Sequence, residues 1–347
     1  MKRKSLVVKT IIHKSLLKHL KNNRVKKIFK VFKNNLDQFI HKKNTIGVAI
    51  SGGPDSLALA FLTKCYLLKN NFNGKFFIVD HGLRKESNKD TLKVKKILDK
   101  FDINCEILKW RGKKPISNIQ SIARNERYKL LKNACKKRNI NHLLVGHHLD
   151  DLYENFFIRL LRGSGLKGLS SFGETIKDDD NFIILRPLIK LKKEELIFTS
   201  KLVFNFFIED PFNKNPIFQR SRIRKLIADL DKEGLNLKKL NLTIKNLKSA
   251  NESFNFFVRE NIKNNMKLIK YKNMIILNQN FFNQPDEVIF RSISLVLKKI
   301  SKKYYPPRGK SIVNSIITMK SLNFKKFTIG GCFVEKVNET IFITAEN

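Results

Sequence analysis

The rhythm of apolar and polar positions changes twice along the chain. Through residue 40, Ile11, Ile12, Leu16, Leu17 and Leu20, then Val25, Ile28, Phe29 and Phe32, recur at three-to-four spacing among lysines. That period predicts one or two basic amphipathic helices, which either touch nucleic acid or pack their apolar face. From Thr45 short apolar runs alternate with helical stretches. Strands are expected at Thr45–Ile50, Lys75–Asp80, Asn104–Trp110, His142–Gly146 and Phe182–Leu185. Helices are expected at Ser56–Leu68, near Asn88–Phe101, at Asn118–Lys137 and at Leu149–Leu161. Strand–helix alternation implies βαβ units: an α/β fold with a mostly parallel sheet and helices on both faces. After about residue 225 the alternation stops. Leu226–Ile300 reads as mainly helical, Tyr305-Pro306-Pro307-Arg308 breaks it, a helix is expected near Ser311–Leu322, and the end reads as a hairpin. The organisation predicted is a basic helical extension (1–40), an α/β domain (41–225) and a smaller, mainly helical domain (226–347), with no further domain beyond it.

Charge narrows the partners. The 347 residues hold 70 Lys+Arg against 30 Asp+Glu, a net charge of +40. Such a field attracts polyanions, nucleic acid first and an anionic membrane surface second. AT-rich coding produces the same Lys, Asn, Ile and Phe bias, so charge alone does not identify the partner. No apolar run approaches the ~18 residues of a membrane span. The four cysteines, at 65, 105, 135 and 332, form no C-x-x-C pair, which disfavours zinc, iron–sulfur and dithiol chemistry. A cytoplasmic chain is expected, or one of an organelle matrix or stroma if it is encoded by or targeted to an organelle.

Candidate chemistry falls at the predicted carboxyl ends of strands, where open α/β sheets bind ligands. Ser51-Gly52-Gly53-Pro54-Asp55-Ser56 links the first strand to a helix. Its glycines let backbone N–H groups approach phosphate oxygens, and the helix N-terminus adds its dipole. Ser51 and Ser56 add hydroxyl donors, and Asp55 suits a phosphate site if Mg²⁺ lies between. The loop has neither the lysine of the Walker pattern nor G-x-G-x-x-G spacing. Asp80, His81 and Arg84 follow the second strand, as candidates for ribose, adenine or phosphate contact. Arg124 and Arg127 share a helical face and would stabilise charge on a phosphate. In Gly146-His147-His148-Leu149-Asp150-Asp151-Leu152-Tyr153-Glu154, two histidines and three carboxylates crowd into nine residues. The segment reads as a pocket for a small cation such as an amine, as a His/Asp metal centre, or as acids favouring a helix dipole. Arg159, Arg162 and Lys167 border a glycine-rich loop suited to RNA phosphates. Arg220, Arg222 and Arg224 follow Glu209-Asp210-Pro211 and Asn213.

The loop at 51–56 resembles the pyrophosphate loop of N-type ATP pyrophosphatases, which implies cleavage between the α- and β-phosphates of ATP. Order and spacing extend the match. Val79–Arg84, Ala123-Arg124 with Arg127-Tyr128, His147–Glu154, the Arg159–Leu169 loop, Arg186-Pro187-Leu188, Glu209–Asn213 and Arg220–Arg224 together resemble the tRNA(Ile)-lysidine synthetase family over roughly residues 40–225, and more weakly to the end. The resemblance implies an adenine nucleotide α-hydrolase-like, PP-loop ATPase fold. It implies a ligase that uses ATP and Mg²⁺ to adenylate C2–O of the wobble cytidine in tRNA(Ile) with a CAU anticodon. Free L-lysine then displaces AMP, and pyrophosphate is the other product. By motif position Ser51, Gly52, Gly53, Pro54, Asp55, Ser56, Asp80, His81 and Arg84 serve ATP, with Asp55 on Mg²⁺. Arg124 serves phosphate charge, and His147, Asp151 and Glu154 serve lysine. Arg159, Arg162, Lys167, Arg220, Arg222 and Arg224 serve tRNA, and a homodimer is a further expectation. Leu152 and Asn155 depart from the family's Gln and Thr. A PP-loop tRNA thiolation enzyme is the alternative, disfavoured by the missing cysteine pair. A non-catalytic RNA-binding protein would not need Asp55, Asp151 and Glu154, and a metallohydrolase leaves the phosphate loop unexplained.

Overall fold

The computed structural model describes the chain apart from residues 1, 42–44, 84–85, 113–114, 116, 118, 178–180, 210–218, 304, 322–323 and 347, and apart from the side chains of 2–7, 120 and 177. The chain forms two compact units, Met1–Asn236 and Leu237–Asn347.

Two helices open the first unit, α1 (Lys2–Lys18) and α2 (Asn23–Asp37). Asn22 starts α2, its Oδ1 accepting from the N–H groups of Arg24 (3.0 Å) and Val25 (3.2 Å), which satisfies two first-turn donors. Val25, Ile28, Phe29, Phe32 and Leu36 are buried on one face of α2. That face joins the same core as the helix following the first strand. Of the two readings open for this segment, packing is therefore realised by α2. Polar ties reinforce it: Asn35 Nδ2 donates to the Pro187 carbonyl at 3.0 Å and Tyr66 Oη to Asp37 Oδ1 at 2.8 Å.

The sheet then builds through β1 (Ile46–Ile50), α3 (Pro54–Asn70), β2 (Gly74–Asp80), α4 (Ser87–Asp99), β3 (Cys105–Lys109), α5 (Ile119–Lys136), β4 (His142–Leu144), α6 (Leu149–Leu160), α7 (Leu166–Leu169), β5 (Thr175–Lys177), β6 (Ile183–Leu185), α8 (Lys193–Phe204) and α9 (Gln219–Lys232). Strand order is β3-β2-β1-β4-β6-β5. The first five run parallel, and β5 pairs antiparallel with β6. Side chains alternate across the sheet as a period of two requires. Ile46, Val48 and Ile50 enter the core with α2, α3 and α8. Phe77, Leu143 and Val145 enter the core with Leu131, Ala134 and Cys135 of α5. α3 is buried nearly all round, as a helix apolar on every side must be.

The chain leaves β1 outward through β2 to β3, then crosses back to β4 on the other side of β1. That reversal is the topological switch point of the sheet, where a crevice opens beyond the strand ends.

The second unit holds α10 (Leu237–Asn265), β7 (Met266–Ile269), β8 (Met274–Leu277), α11 (Asp286–Ser301), α12 (Gly309–Lys320), β9 (Lys326–Ile329), β10 (Cys332–Val337) and β11 (Thr340–Ala345). Its antiparallel sheet runs β7-β8-β11-β10-β9. Sequence patterning expected helices and one terminal hairpin. The additional strands β7 and β8 are four residues each, too short for alternation to register, and turn through Asn273 in the left-handed region (φ 44°). The expected boundary at 225 falls within α9, which runs unbroken from Gln219 to Lys232. Among the described residues, no helix is long and apolar enough to cross a membrane.

Candidate active site

At the end of β1 the backbone turns through Gly52 at φ +87°. A Cβ there would lie 2.7 Å from Val94 Cγ2 and 3.0 Å from Ile208 Cδ1, so only glycine fits both the conformation and the space. Ile208 N–H donates to the Gly52 carbonyl at 2.9 Å. Ser56 Oγ sits inside the turn. It accepts from the N–H groups of Ser51 and Gly52, both at 3.1 Å, and donates to the Gly53 carbonyl at 3.0 Å. Sequence reasoning gave Ser56 to phosphate; here its hydroxyl knits the loop. Ser51 Oγ reaches Ser56 Oγ at 3.2 Å. Gly53 caps α3 and Pro54 occupies its first turn, a position where a missing N–H costs nothing. The N–H groups of Asp55 and Ser56 have no intrahelical partner by helix geometry and carry the positive end of the dipole.

Beyond β4, Gly146 approaches the backbone of α3. A Cβ on it would lie 3.3 Å from Asp55 C and 3.3 Å from Ser56 N. This contact brings the two motifs together. His148 is 3% exposed in its side chain. Its Nε2 lies 3.6 Å from Asp55 Oδ2 and 3.6 Å from Asp151 Oδ2, and its Nδ1 lies 3.4 Å from Asp150 Oδ2. Burial disfavours its cation, yet the carboxylates of Asp150, Asp55 and Asp151 prevail and raise its pKa to about 10. His148 is therefore an imidazolium at neutral pH. Asp151 Oδ2 accepts the His148 N–H at 3.0 Å, and Asp150 Oδ2 the Lys193 N–H at 2.8 Å. Sequence reasoning singled out His147 and passed over His148; the signal available was its position just before the Asp150–Asp151 pair.

Glu154 lies one turn along α6 and is 3% exposed. Arg224 Nε, from α9, donates to its Oε1 at 2.5 Å. Burial raises the Glu154 carboxyl and the guanidinium opposes that rise. Arg224, assigned from sequence to tRNA, thus turns inward to a carboxylate assigned to lysine.

His147 meets a different environment. Arg186, immediately after β6 and 3% exposed, approaches His147 Nδ1 with its Nε at 3.3 Å. Its Nη1 donates to the Gly173 carbonyl at 2.6 Å, and its guanidinium lies 4.2 Å from the Phe172 ring centroid. Burial, assisted by Arg186, Arg124 and Arg127 and opposed by Asp151, lowers the His147 pKa to about 3. On α5, Arg124 and Arg127 flank the Tyr128 ring at 5.2 and 5.5 Å. The crevice thus has an acidic wall around Asp55, Asp151 and Glu154 and a basic wall around Arg124, Arg127 and Arg186.

Other expected residues lie around this centre. Asp80, 7% exposed, accepts from Gly82 N–H (3.0 Å) and Ser87 Oγ (2.5 Å), which forms the turn into α4. His81 packs edge-on to Trp110. Arg84 lies outside the described residues, as do Asp210, Pro211 and Asn213. Arg162, Lys167, Arg220 and Arg222 are exposed, and Arg159 Nε donates to Asn155 Oδ1 at 2.7 Å.

For a divalent cation, the donor set is spare. Among the described residues, no group of three His, Cys, Asp or Glu could hold a metal. Asp55 Oδ1, however, is buried with no hydrogen-bond partner. One carboxylate oxygen completed by substrate phosphates is the mode Mg²⁺ favours, so the site fits that ion. Burial pushes the thiols of Cys65, Cys105 and Cys135 up to about 12 and that of Cys332 to about 11, which keeps all four protonated and unreactive.

The chain is similar to known proteins over most of its length. A PP-loop domain family matches residues 20–230. A tRNA(Ile)-lysidine synthase from Wolbachia pipientis wMel is 31% identical over 325 residues, covering 91% of this chain and 74% of that protein. One from Orientia tsutsugamushi (strain Boryong) is 32% identical over 331 residues, covering 91% and 73%. Among solved structures, a U34-tRNA thiolase from Methanococcus maripaludis shares the fold with a TM-score of 0.54 at 19% identity, covering 66% of this chain and 79% of that one.

Proposed function

The chain belongs to the tRNA(Ile)-lysidine synthase family, a family of ligases that modify tRNA, and from that premise we propose how its own residues carry the reaction. ATP binds with its phosphates on the 51–56 loop and the N-terminus of α3. The wobble cytidine of tRNA(Ile) with a CAU anticodon presents its C2 oxygen to the α-phosphorus. The new O–P bond expels pyrophosphate. Lysine's ε-nitrogen then attacks C2, and the C–O bond breaks to release AMP. Adenylation is needed because a carbonyl oxygen leaves poorly until it is esterified.

The observation that carries this reading is the contact of Gly146 with the start of α3. It places Asp55 and Asp151 at equal distance, 3.6 Å, from one buried imidazolium, so the phosphate loop and the acidic wall form one site. Arg124 and Arg127 face the charge that develops on the adenylyl group. Asp151 receives the lysine ammonium, with Glu154 behind it. That ammonium, with an ordinary pKa of about 10.4, must lose a proton before its lone pair can attack C2, and the proton passes to the Asp151 carboxylate or to water. His148, already protonated, does not take it. Mg²⁺, when bound, neutralises phosphate charge, and Asp55 would hold it. Arg162, Lys167, Arg220 and Arg222 offer exposed cations to tRNA phosphates, with the half-buried Arg159 beside them. The protonated, buried thiols give no support to a sulfur-transfer reading.

The test is pyrophosphate release from ATP with Mg²⁺ and a tRNA(Ile) CAU transcript in the absence of lysine. Wild-type protein releases pyrophosphate and Asp55→Ala does not. Undiminished release by the variant would overturn the loop assignment.

A further inference from the structure

We infer that Arg186 is a positioning residue that fixes the tautomer of His147, so that this histidine offers its Nε2–H as a donor to an anionic oxygen of the reactants. The inference rests on the proposed function, in which His147 borders the crevice beside Asp151, and it replaces the lysine role expected for His147 with donation to an anionic group. A guanidinium carries five N–H donors and no acceptor. Where Arg186 Nε meets His147 Nδ1 at 3.3 Å, the imidazole nitrogen must therefore be the acceptor. A neutral imidazole holds one ring proton, and that proton then lies on Nε2.

The guanidinium is well placed to impose this. Arg186 is 3% exposed. Its Nη1 bond to the Gly173 carbonyl at 2.6 Å and its packing over Phe172 at 4.2 Å fix the plane of the fork. Phe172 also packs edge-on to the His147 ring, with centroids 5.6 Å apart. The backbone is anchored too, because Arg186 N–H donates to the Glu174 carbonyl at 2.8 Å. The charged groups bearing on His147 are Asp151 on one side and Arg186, Arg124 and Arg127 on the other. Burial first, and then three cations against one carboxylate, keep the ring neutral. A neutral ring with Nδ1 occupied has no lone pair left to accept a lysine proton. His147 therefore serves as a donor, and the proton of the incoming amine leaves by another route.

The direct test is long-range proton–nitrogen correlation NMR on the full-length apoprotein carrying ¹⁵N-histidine, with the His147 signals assigned by comparison with His147→Gln. The expected result at neutral pH is a pyridine-like Nδ1 and a pyrrole-like Nε2. A pyrrole-like Nδ1, or an imidazolium, would overturn the inference, whether or not the protein is active. The functional arm measures tRNA adenylation. A glutamine amide mimics Nε2 and an asparagine amide mimics Nδ1, so His147→Gln should lose less adenylation than His147→Asn. Arg186→Gln should lower adenylation kcat about tenfold or more, and lower it much less in the His147→Gln background, where no tautomer remains to be set. Equal losses in both backgrounds would make Arg186 a merely structural residue. Should Arg186→Gln fail to fold, the wild-type spectrum still decides. An Nε2–H tautomer in a protein with no lysidine-forming activity would refute the proposed function and leave this inference standing.

Discussion

His148 Nε2 lies 3.6 Å from Asp55 Oδ2, and this pair joins the phosphate loop after β1 to the acidic segment after β4. The two residues are 93 positions apart, the difference between 148 and 55. They meet because β1 and β4 are adjacent parallel strands whose carboxyl ends open at the switch point. A buried imidazolium among three carboxylates gathers charges that would otherwise repel one another.

The junction depends on Gly146. Gly146→Ala puts a methyl group 3.3 Å from Asp55 C and Ser56 N, against backbone that has little room to yield. A destabilisation of about 1–3 kcal/mol is expected, together with weaker ATP binding. Thermal unfolding with and without ATP checks both. Unchanged ATP-induced stabilisation would mean that the approach of the two segments is not what shapes the loop.

Glu154 and Arg224 are predicted to act as a pair. Glu154→Ala leaves the Arg224 guanidinium without its carboxylate, and lysine use should fall further than adenylation. Because Arg224 is one-third exposed (34%), water relieves part of the loss, and a cost of about 1–3 kcal/mol is expected rather than that of a fully buried pair. A double-mutant cycle with Arg224→Ala measures the coupling. Separate single-turnover assays of adenylation and lysine transfer measure the split, and equal loss of both steps would refute the role given to Glu154.

The lowered pKa of His147 sets a pH dependence. Its folded value of about 3 lies below the ordinary 6.5, so the unfolded chain takes up a proton that the folded chain refuses. The resulting stability is complete above pH 6.5, declines as pH falls below it, and is gone once pH passes the folded value. The slope contributed is at most about 1.4 kcal/mol per pH unit. Denaturant titrations between pH 7 and pH 5 should show this acid loss in the wild type and a smaller one in His147→Gln. Identical slopes would show that His147 binds protons equally in the folded and unfolded chain, with no lowered pKa.

Much of the first unit was legible in sequence because its signals are strong and local. β1, α3, β2 and β4 each combine an apolar run with glycine punctuation, and the motif residues follow those strands directly. The second unit was less so. β7 and β8 contain four residues apiece, and the pairing of β7 with β8 and of β8 with β11 is a tertiary fact. Within the site, Asp151 and Glu154 stand three apart in sequence, a spacing that puts them on one face of a helix. It gave no indication that Arg224, 70 residues away, would meet Glu154. Nor could it assign opposite states to neighbouring histidines. His147 and His148 differ because one side chain faces guanidinium groups and the other faces carboxylates, which only the folded chain decides. Ser56 likewise reads as a phosphate ligand from its motif, while the turn makes its hydroxyl the hub of the loop.

The central claim is that one crevice adenylates a tRNA base and then delivers an amine to it. The most direct test incubates the purified protein with ATP, Mg²⁺, radiolabelled lysine and a tRNA(Ile) CAU transcript. The account predicts lysine incorporated into the tRNA with AMP released in equal amount, and no incorporation by Asp55→Ala or Asp151→Ala. AMP release without incorporation of lysine, or incorporation that survives both substitutions, would contradict it.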